Sequence, residues 1–202
     1  MLIHQVIYNS ILAGVCISLG GLAFLKLGGV IGAVLFTFGL LSIVAYRYPL
    51  YTGTAGFFNN RNELGNVVLI LLFNIIGCAV AAWAISTACT DVADTVAQLV
   101  ERRIMLSNIQ VLLLAIGCGY IMTTVVQHAR ESNNYRPLIY GIPLFILCGM
   151  LHSIADAFYY SLFIINNLTN IDIHYLSQIG TIYIIEVIGN FIGCNIYRIV
   201  KQ

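Results

Sequence analysis

Charge is what this chain has least of. Lys and Arg number nine and Asp and Glu eight, together 8% of 202 residues, against 60% hydrophobic residues and a mean hydropathy of +0.93. Soluble domains carry about a quarter charged residues, so that class is excluded and an integral membrane protein is expected. Basic runs are also missing and the formal net charge is only +1, which removes the electrostatic basis for a nucleic-acid partner. There is no C-x-x-C pair and no His at metal-ligand spacing: Cys16, Cys78, Cys89, Cys118, Cys148 and Cys194 stand singly, mostly in apolar stretches. Neither a disulfide framework nor a metal site is expected. The cysteines read as small core residues, with Cys89, near a helix end, the most accessible. No nucleophile and base stand paired, so neither an enzyme nor a cofactor is expected. The start of the chain lacks a basic segment and a small-residue cleavage site, and its apolar stretch is read as a retained first helix.

What the chain has is apolar length. Against the roughly 20 residues a helix needs to cross hydrocarbon, stretches near 6–27, 30–60, 64–88, 107–128, 137–166 and 174–199 predict six crossings. The second and fifth are too long and too interrupted to be plain helices. One contains Arg47-Tyr48-Pro49-Leu50-Tyr51-Thr52-Gly53-Thr54-Ala55-Gly56, the other Gly149-Met150-Leu151-His152-Ser153-Ile154-Ala155-Asp156. Proline removes a backbone donor and glycine loosens a helix, so both segments should unwind. At membrane depth, unwound backbone persists only where it is buried in protein or lines a water-filled path.

A short repeat pairs the two breaks. Asn74-Ile75-Ile76-Gly77-Cys78 in the third span recurs as Asn190-Phe191-Ile192-Gly193-Cys194 in the sixth, each one helix after a broken span. The chain therefore reads as a single transmembrane domain over 1–202, built from repeats at about 6–88 and about 107–199. Three crossings per half make the halves antiparallel. The predicted fold is all-α, six transmembrane helices in two inverted three-helix repeats, with a permeation site near the midplane between the breaks. Asn74 and Asn190 are expected to bond the exposed backbone of the breaks. Short-loop cations favour both termini in the cytoplasm: Arg61, Arg130, Arg136, Arg198 and Lys201 fall inside, against Lys26, Arg102 and Arg103 outside. Between the halves, Thr90 to Arg103 reads as a short amphipathic connector on the outer surface.

An ionisable residue at the centre of a span is expensive, and by default it handles substrate or protons. His152 is that residue, with an ordinary pKa of about 6.5 that modest surroundings move across physiological pH. A small anion meeting an apolar constriction pays several kcal/mol or more to shed water. Accepting a proton at His152 would remove that cost. Glu186, one turn before Asn190, is open to three readings: snorkelling, pairing with a basic residue, or facing another subunit.

Together these residues resemble the formate/nitrite transporter family of pentameric, aquaporin-like channels for small monovalent anions. His152-Ser153-Ile154-Ala155 is similar to its central histidine motif and Leu50-Tyr51-Thr52-Gly53-Thr54 to its loop in the second helix. Ala13-Gly14-Val15-Cys16-Ile17-Ser18 is similar to its first-helix pattern, and the two Asn-x-x-Gly elements to its third and sixth helices. The resemblance implies that His152 is the pore histidine, Thr52 the hydroxyl facing it, Leu50 and Tyr51 the apolar pair on one side, and Phe36, Leu40 and Phe145 the other constriction. Three departures stand out. Gly65-Asn66 replaces the usual Lys-Asn, Leu151 a frequent Glu, and Asp156 the usual Asn. Arg47, always charged, either supplies the missing lysine's field or pairs with Asp156 or Glu186.

The expected function is a pH-dependent channel in the cell inner or plasma membrane for a small weak-acid anion or its conjugate acid. Formate and nitrite lead, with hydrosulfide or a short carboxylate behind. Expected partners are the permeant, protons, the lipid bilayer and further copies of the chain. A neutral-solute pore and a structural membrane subunit are the alternatives.

Overall fold

The computed structural model describes residues 3–58 and 60–200, all helix and connection, with no strand among them. Four helices are long and apolar enough to cross a membrane: α1 (Ile3–Leu27), α3 (Arg61–Ala88), α5 (Asn108–Ser132) and α8 (Ile173–Val200). The rest are shorter: α2 (Gly29–Ala45), α4 (Ala93–Ile104), α6 (Arg136–Leu147) and α7 (Ser153–Asn166).

The two interrupted spans break where expected, and with the same device. At 17 residues and about 1.5 Å per residue, α2 falls short of the roughly 30 Å hydrocarbon thickness. It ends in a Schellman motif, with Tyr48 N–H donating to Ile43 O (2.9 Å) and Arg47 in the left-handed region at φ 56°. α6 ends identically, with Met150 N–H donating to Phe145 O (2.9 Å) and Gly149 at φ 67°. Glycine adopts that conformation without cost, whereas arginine does so at about 1 kcal/mol or more. Extended residues follow, Leu50 in the first half and His152 in the second. The halves then differ: the first re-enters as a single 3-10 turn, Tyr51–Gly53, the second as the full helix α7.

Glycines let the halves close. A Cβ at Gly14 would overlap the backbone of Asn74 and Cys78, and one at Gly119 the backbone of Asn190 and Cys194. Reciprocally, Gly77 lies against Ile11 O and Gly193 against Ile116 O. The Asn-x-x-Gly-Cys repeat is therefore a helix-crossing motif used twice, on α1 with α3 and on α5 with α8. α7 inserts between them and every residue from Leu151 to Tyr160 is buried. The outer faces stay apolar, as in the α3 stripe Val68, Leu72, Ile76, Val80 and Trp83.

Two expectations need correction. Cys148, not Cys89, is the exposed cysteine: it caps α6, just past Leu147, whereas Cys89 is half-buried at the α3 end. The connector is also not merely superficial: Val92, Val96 and Val100 are buried against the bundle. Part of the orientation argument lies outside the described residues, namely Lys201 and the side chains of Arg61 and Arg198.

Candidate functional site

The site is built by two asparagines, each serving one break. Asn74 Oδ1 accepts from Tyr51 N–H (2.9 Å), while its amide donates to Ser10 O (2.8 Å) and Pro49 O (3.1 Å). Asn190 Oδ1 accepts from Ser153 N–H (2.8 Å), while its amide donates to Ala115 O (2.8 Å) and Leu151 O (2.9 Å). Both side chains are fully buried. Unwinding exposes backbone groups that hydrocarbon cannot satisfy, and the asparagines replace the helix's own bonds there.

The cysteines extend the correspondence across the two halves. Cys78 Sγ donates to Ile154 O (3.3 Å), and Cys194 Sγ donates to Thr52 O (3.2 Å). These are weak donors, each reaching from one half to the break of the other. The first break is held further by Arg130, which donates to Gly53 O (3.2 Å), and by Asn195, which donates to Ala55 O (2.9 Å).

The two breaks meet side chain to side chain. Thr52 Oγ1 lies 2.9 Å from His152 Nε2, with residue exposures of 0% and 1%. The other ring nitrogen is committed: His152 caps α7, its Nδ1 accepting from Ala155 N–H at 3.1 Å. An acceptor nitrogen carries no proton, so this network assigns Nε2–H, donated to Thr52. Protonating Nδ1 would break the cap.

Apolar groups close over the histidine. The rings of Phe145 and His152 stack at 5.6 Å, and Phe36 meets Phe145 edge-on at 6.0 Å. Leu40, Leu50 and Tyr51 are buried in the same core, and Tyr51 OH donates to Val187 O (3.0 Å). Beyond Phe36 and Phe145 a cavity of about 30 Å³ is lined also by Arg103, His152, Asp156 and Tyr159. On the opposite side, where α1 starts and α5 ends, a vestibule of about 840 Å³ is lined by Arg47, Pro49, Asn66, Arg130 and Tyr135 among others.

Residues 1–200 match the family described as Formate/nitrite transporter. This chain belongs to the formate/nitrite transporter family. It is a multi-pass membrane protein of a transport family, and neither the family nor its structural neighbours are enzymes. One similar solved structure is a pentameric formate channel with formate bound, at TM-score 0.83 and 13% identity, covering 98% of this chain and 95% of that one. Another is an ion channel of the same family, at TM-score 0.85 and 16% identity, covering 95% of this chain and 86% of that one. No curated relative matches it. At such identities the likeness establishes the fold.

Within this formate/nitrite transporter fold, the geometry separates the alternatives that the sequence leaves open for Arg47. Arg47 does not pair with Asp156 or Glu186: the Schellman turn points it into the vestibule, beside Arg130. Asp156 is met by Arg103, at 3.5 Å between Nη2 and Oδ1. From sequence Arg103 counts only as a loop cation, yet it continues the spacing of the buried stripe Val92, Val96, Val100 by three residues, onto the inward face of α4. That register was the available signal. The end of α1 is tied to the same connector by Lys26, whose ammonium holds the Asp91 carboxyl below the usual range. Exposed as it is, that pair adds little stability.

Proposed function

We propose that this chain is a channel for a small monovalent weak-acid anion, formate or nitrite foremost and hydrosulfide or a short carboxylate behind. The observation that carries the reading is the Thr52–His152 hydrogen bond (2.9 Å), which places one polar pair at the meeting of two backbone breaks, inside an apolar enclosure. In this reading the six crossings form two inverted repeats in one domain, with both termini cytoplasmic and several protomers, five by analogy with the formate-bound relative, packed in the membrane. The exposed apolar stripe on α3 supplies surface for lipid or a neighbouring protomer.

The permeant enters the vestibule under the field of Arg47 and Arg130, loses water at Leu50 and Tyr51, and takes the Nε2–H of His152 in place of Thr52. It crosses Phe36, Leu40 and Phe145 as the neutral acid, because an ion there would pay several kcal/mol in desolvation. The pH dependence follows: the neutral form is commoner in acid, so influx rises as pH falls.

The test is solute influx into proteoliposomes holding the purified protein. Formate uptake should saturate and be faster at about pH 5.5 than at about pH 7.5, values that bracket the ordinary imidazole range. Uptake of a neutral solute such as glycerol at a pH-independent rate, without formate uptake, would overturn the proposal in favour of a neutral pore. No flux from folded protein for any weak acid offered would favour a structural subunit.

Arg47 gives a separate check. Replacing it by glycine removes the vestibule cation and also relieves a left-handed residue, so Arg47→Gly should raise stability by about 0.5–1 kcal/mol. Formate influx should nevertheless fall several-fold, and the deficit should shrink at high salt as the remaining field is screened. Unchanged influx in the melted-and-compared pair would remove Arg47 from the permeation path.

A further inference from the structure

The most deeply buried carboxylates among the described residues lie just behind His152 and have no part in the reading above. Asp156 on α7 and Glu186 on α8 are 1% and 0% exposed, and they stand side by side. Each has one oxygen engaged. Asp156 Oδ1 meets the Arg103 guanidinium, and Glu186 Oε1 accepts from Tyr160 OH at 2.7 Å. Asp156 Oδ2 and Glu186 Oε2 have no donor among the described residues. Arg103 is thinly used as well: its bonds to Gly149 O (3.4 Å) and Asp156 are long, and its Nε is unpartnered.

Charge counting shows what is missing. The titratable and charged groups around the pair are Arg103 from α4, His152, Tyr159 and Tyr160 from α7 and its cap, Tyr183 from α8, and Cys118 from α5. Only Arg103 is a permanent cation, and His152 has its Nδ1 committed as an acceptor. Two ionised carboxylates beside one guanidinium would leave a net negative charge buried in the membrane, which costs several kcal/mol or more. One shared proton makes the cluster neutral and gives the two free oxygens a donor between them.

We infer that Asp156 and Glu186 together hold one exchangeable proton, clamped between Arg103 and Tyr160, and that this carboxyl pair is the proton donor to the permeant. The inference rests on the weak-acid reading and deepens it. Asp156 and Arg103 line the same small cavity as His152, Phe36 and Phe145, so the pair faces the point where the permeant must be neutral. His152, with Nδ1 accepting from Ala155 N–H, has Nε2–H to lend as a hydrogen bond but no second proton to give. The balance is simple. The carboxyl O–H breaks, an O–H (or S–H) forms on the anion, and one negative charge passes from the permeant to the pair, where Arg103 offsets part of it and the net charge lasts only until the pair is reprotonated. The pair then regains a proton from water on the side from which the anion entered. Asp156, which departs from the family's usual Asn, thereby becomes a working residue.

The test is infrared difference spectroscopy of the assembled protein at neutral pH, before and after exchange into heavy water, with formate influx measured on the same preparations. The other carboxylates lie at or near the surface and absorb as ions, so the expected spectrum has one protonated-carboxyl carbonyl band that shifts on deuteration. The band should vanish in Asp156→Asn and in Glu186→Gln, since the single remaining carboxylate pairs with Arg103 and ionises. Influx should fall about a hundredfold in both, the loss expected for removing a general acid. In His152→Phe the band should persist. A wild type without the band, a band that survives both substitutions, or full influx in a variant lacking the band would each overturn the inference. The band is read without transport, so a protein that shows it yet moves no formate fails the weak-acid reading instead.

Discussion

Replacing His152 by phenylalanine should abolish formate influx, lowering it by about a hundredfold or more at both acidic and neutral pH. The ring volume is kept and the stack on Phe145 can persist, so the passage stays apolar and closed to ions. Two polar functions go: the Nε2–H that Thr52 now accepts and a permeant would take, and the Nδ1 acceptor that caps α7. The cap loss should cost about 1 kcal/mol of stability. That is far too little to explain a hundredfold loss of flux in protein that still assembles. His152→Asn separates the two functions, because asparagine is a good capping residue but cannot place a donor where Nε2 lies. It should therefore melt like the wild type and still fail to transport. Stopped-flow uptake on liposomes matched for protein content is the measurement. A His152→Asn protein with wild-type flux would place the chemistry elsewhere.

Replacing Asn190 by alanine should be a severe blow to the fold. It strips the acceptor from Ser153 N–H and the donor from Leu151 O, both on buried residues. At about 1–3 kcal/mol per orphaned group, the loss is about 2–6 kcal/mol, a large part of the stability of a typical domain. Asn74→Ala should cost about the same, since Asn74 makes the equivalent bonds to Tyr51 and Pro49. Asn190→Asp keeps the acceptor and loses the amide donor, so it should fall between. The fluorescence of Trp83, the single tryptophan, read during thermal unfolding in detergent, gives the ranking. An Asn190→Ala protein melting with the wild type would show that the breaks do not depend on these bonds.

Much of this architecture was legible in the residues themselves. The breaks were visible because Pro49 and the glycine at 149 interrupt apolar runs, and the asparagine repeat marked which helices serve them. The facing of Thr52 and His152 came from the family resemblance, and the hydrogen bond between them is the geometry it implied. Other features depend on three dimensions and left little trace. That Arg47 adopts a left-handed turn is a choice made by the turn, not by arginine, and it decides which side the guanidinium serves. Arg103 lies 53 positions from Asp156, in a segment whose composition alone says connector. Its inward register follows from the buried valines of α4, a pattern too short to outweigh its charge. Glu186 stayed ambiguous because its partner, Tyr160, arrives from another helix.

The central claim is that the permeant passes the Phe36–Phe145 constriction as a neutral acid. Its most direct test is proton movement measured together with formate in sealed proteoliposomes, using a pH dye inside and a potassium diffusion potential imposed across the membrane. The account predicts that each formate entering brings about one proton, so that the lumen acidifies in step with uptake and the rate does not respond to the sign of the potential. Formate uptake that follows the potential without acidifying the lumen would mean the anion itself crosses, and would contradict the account.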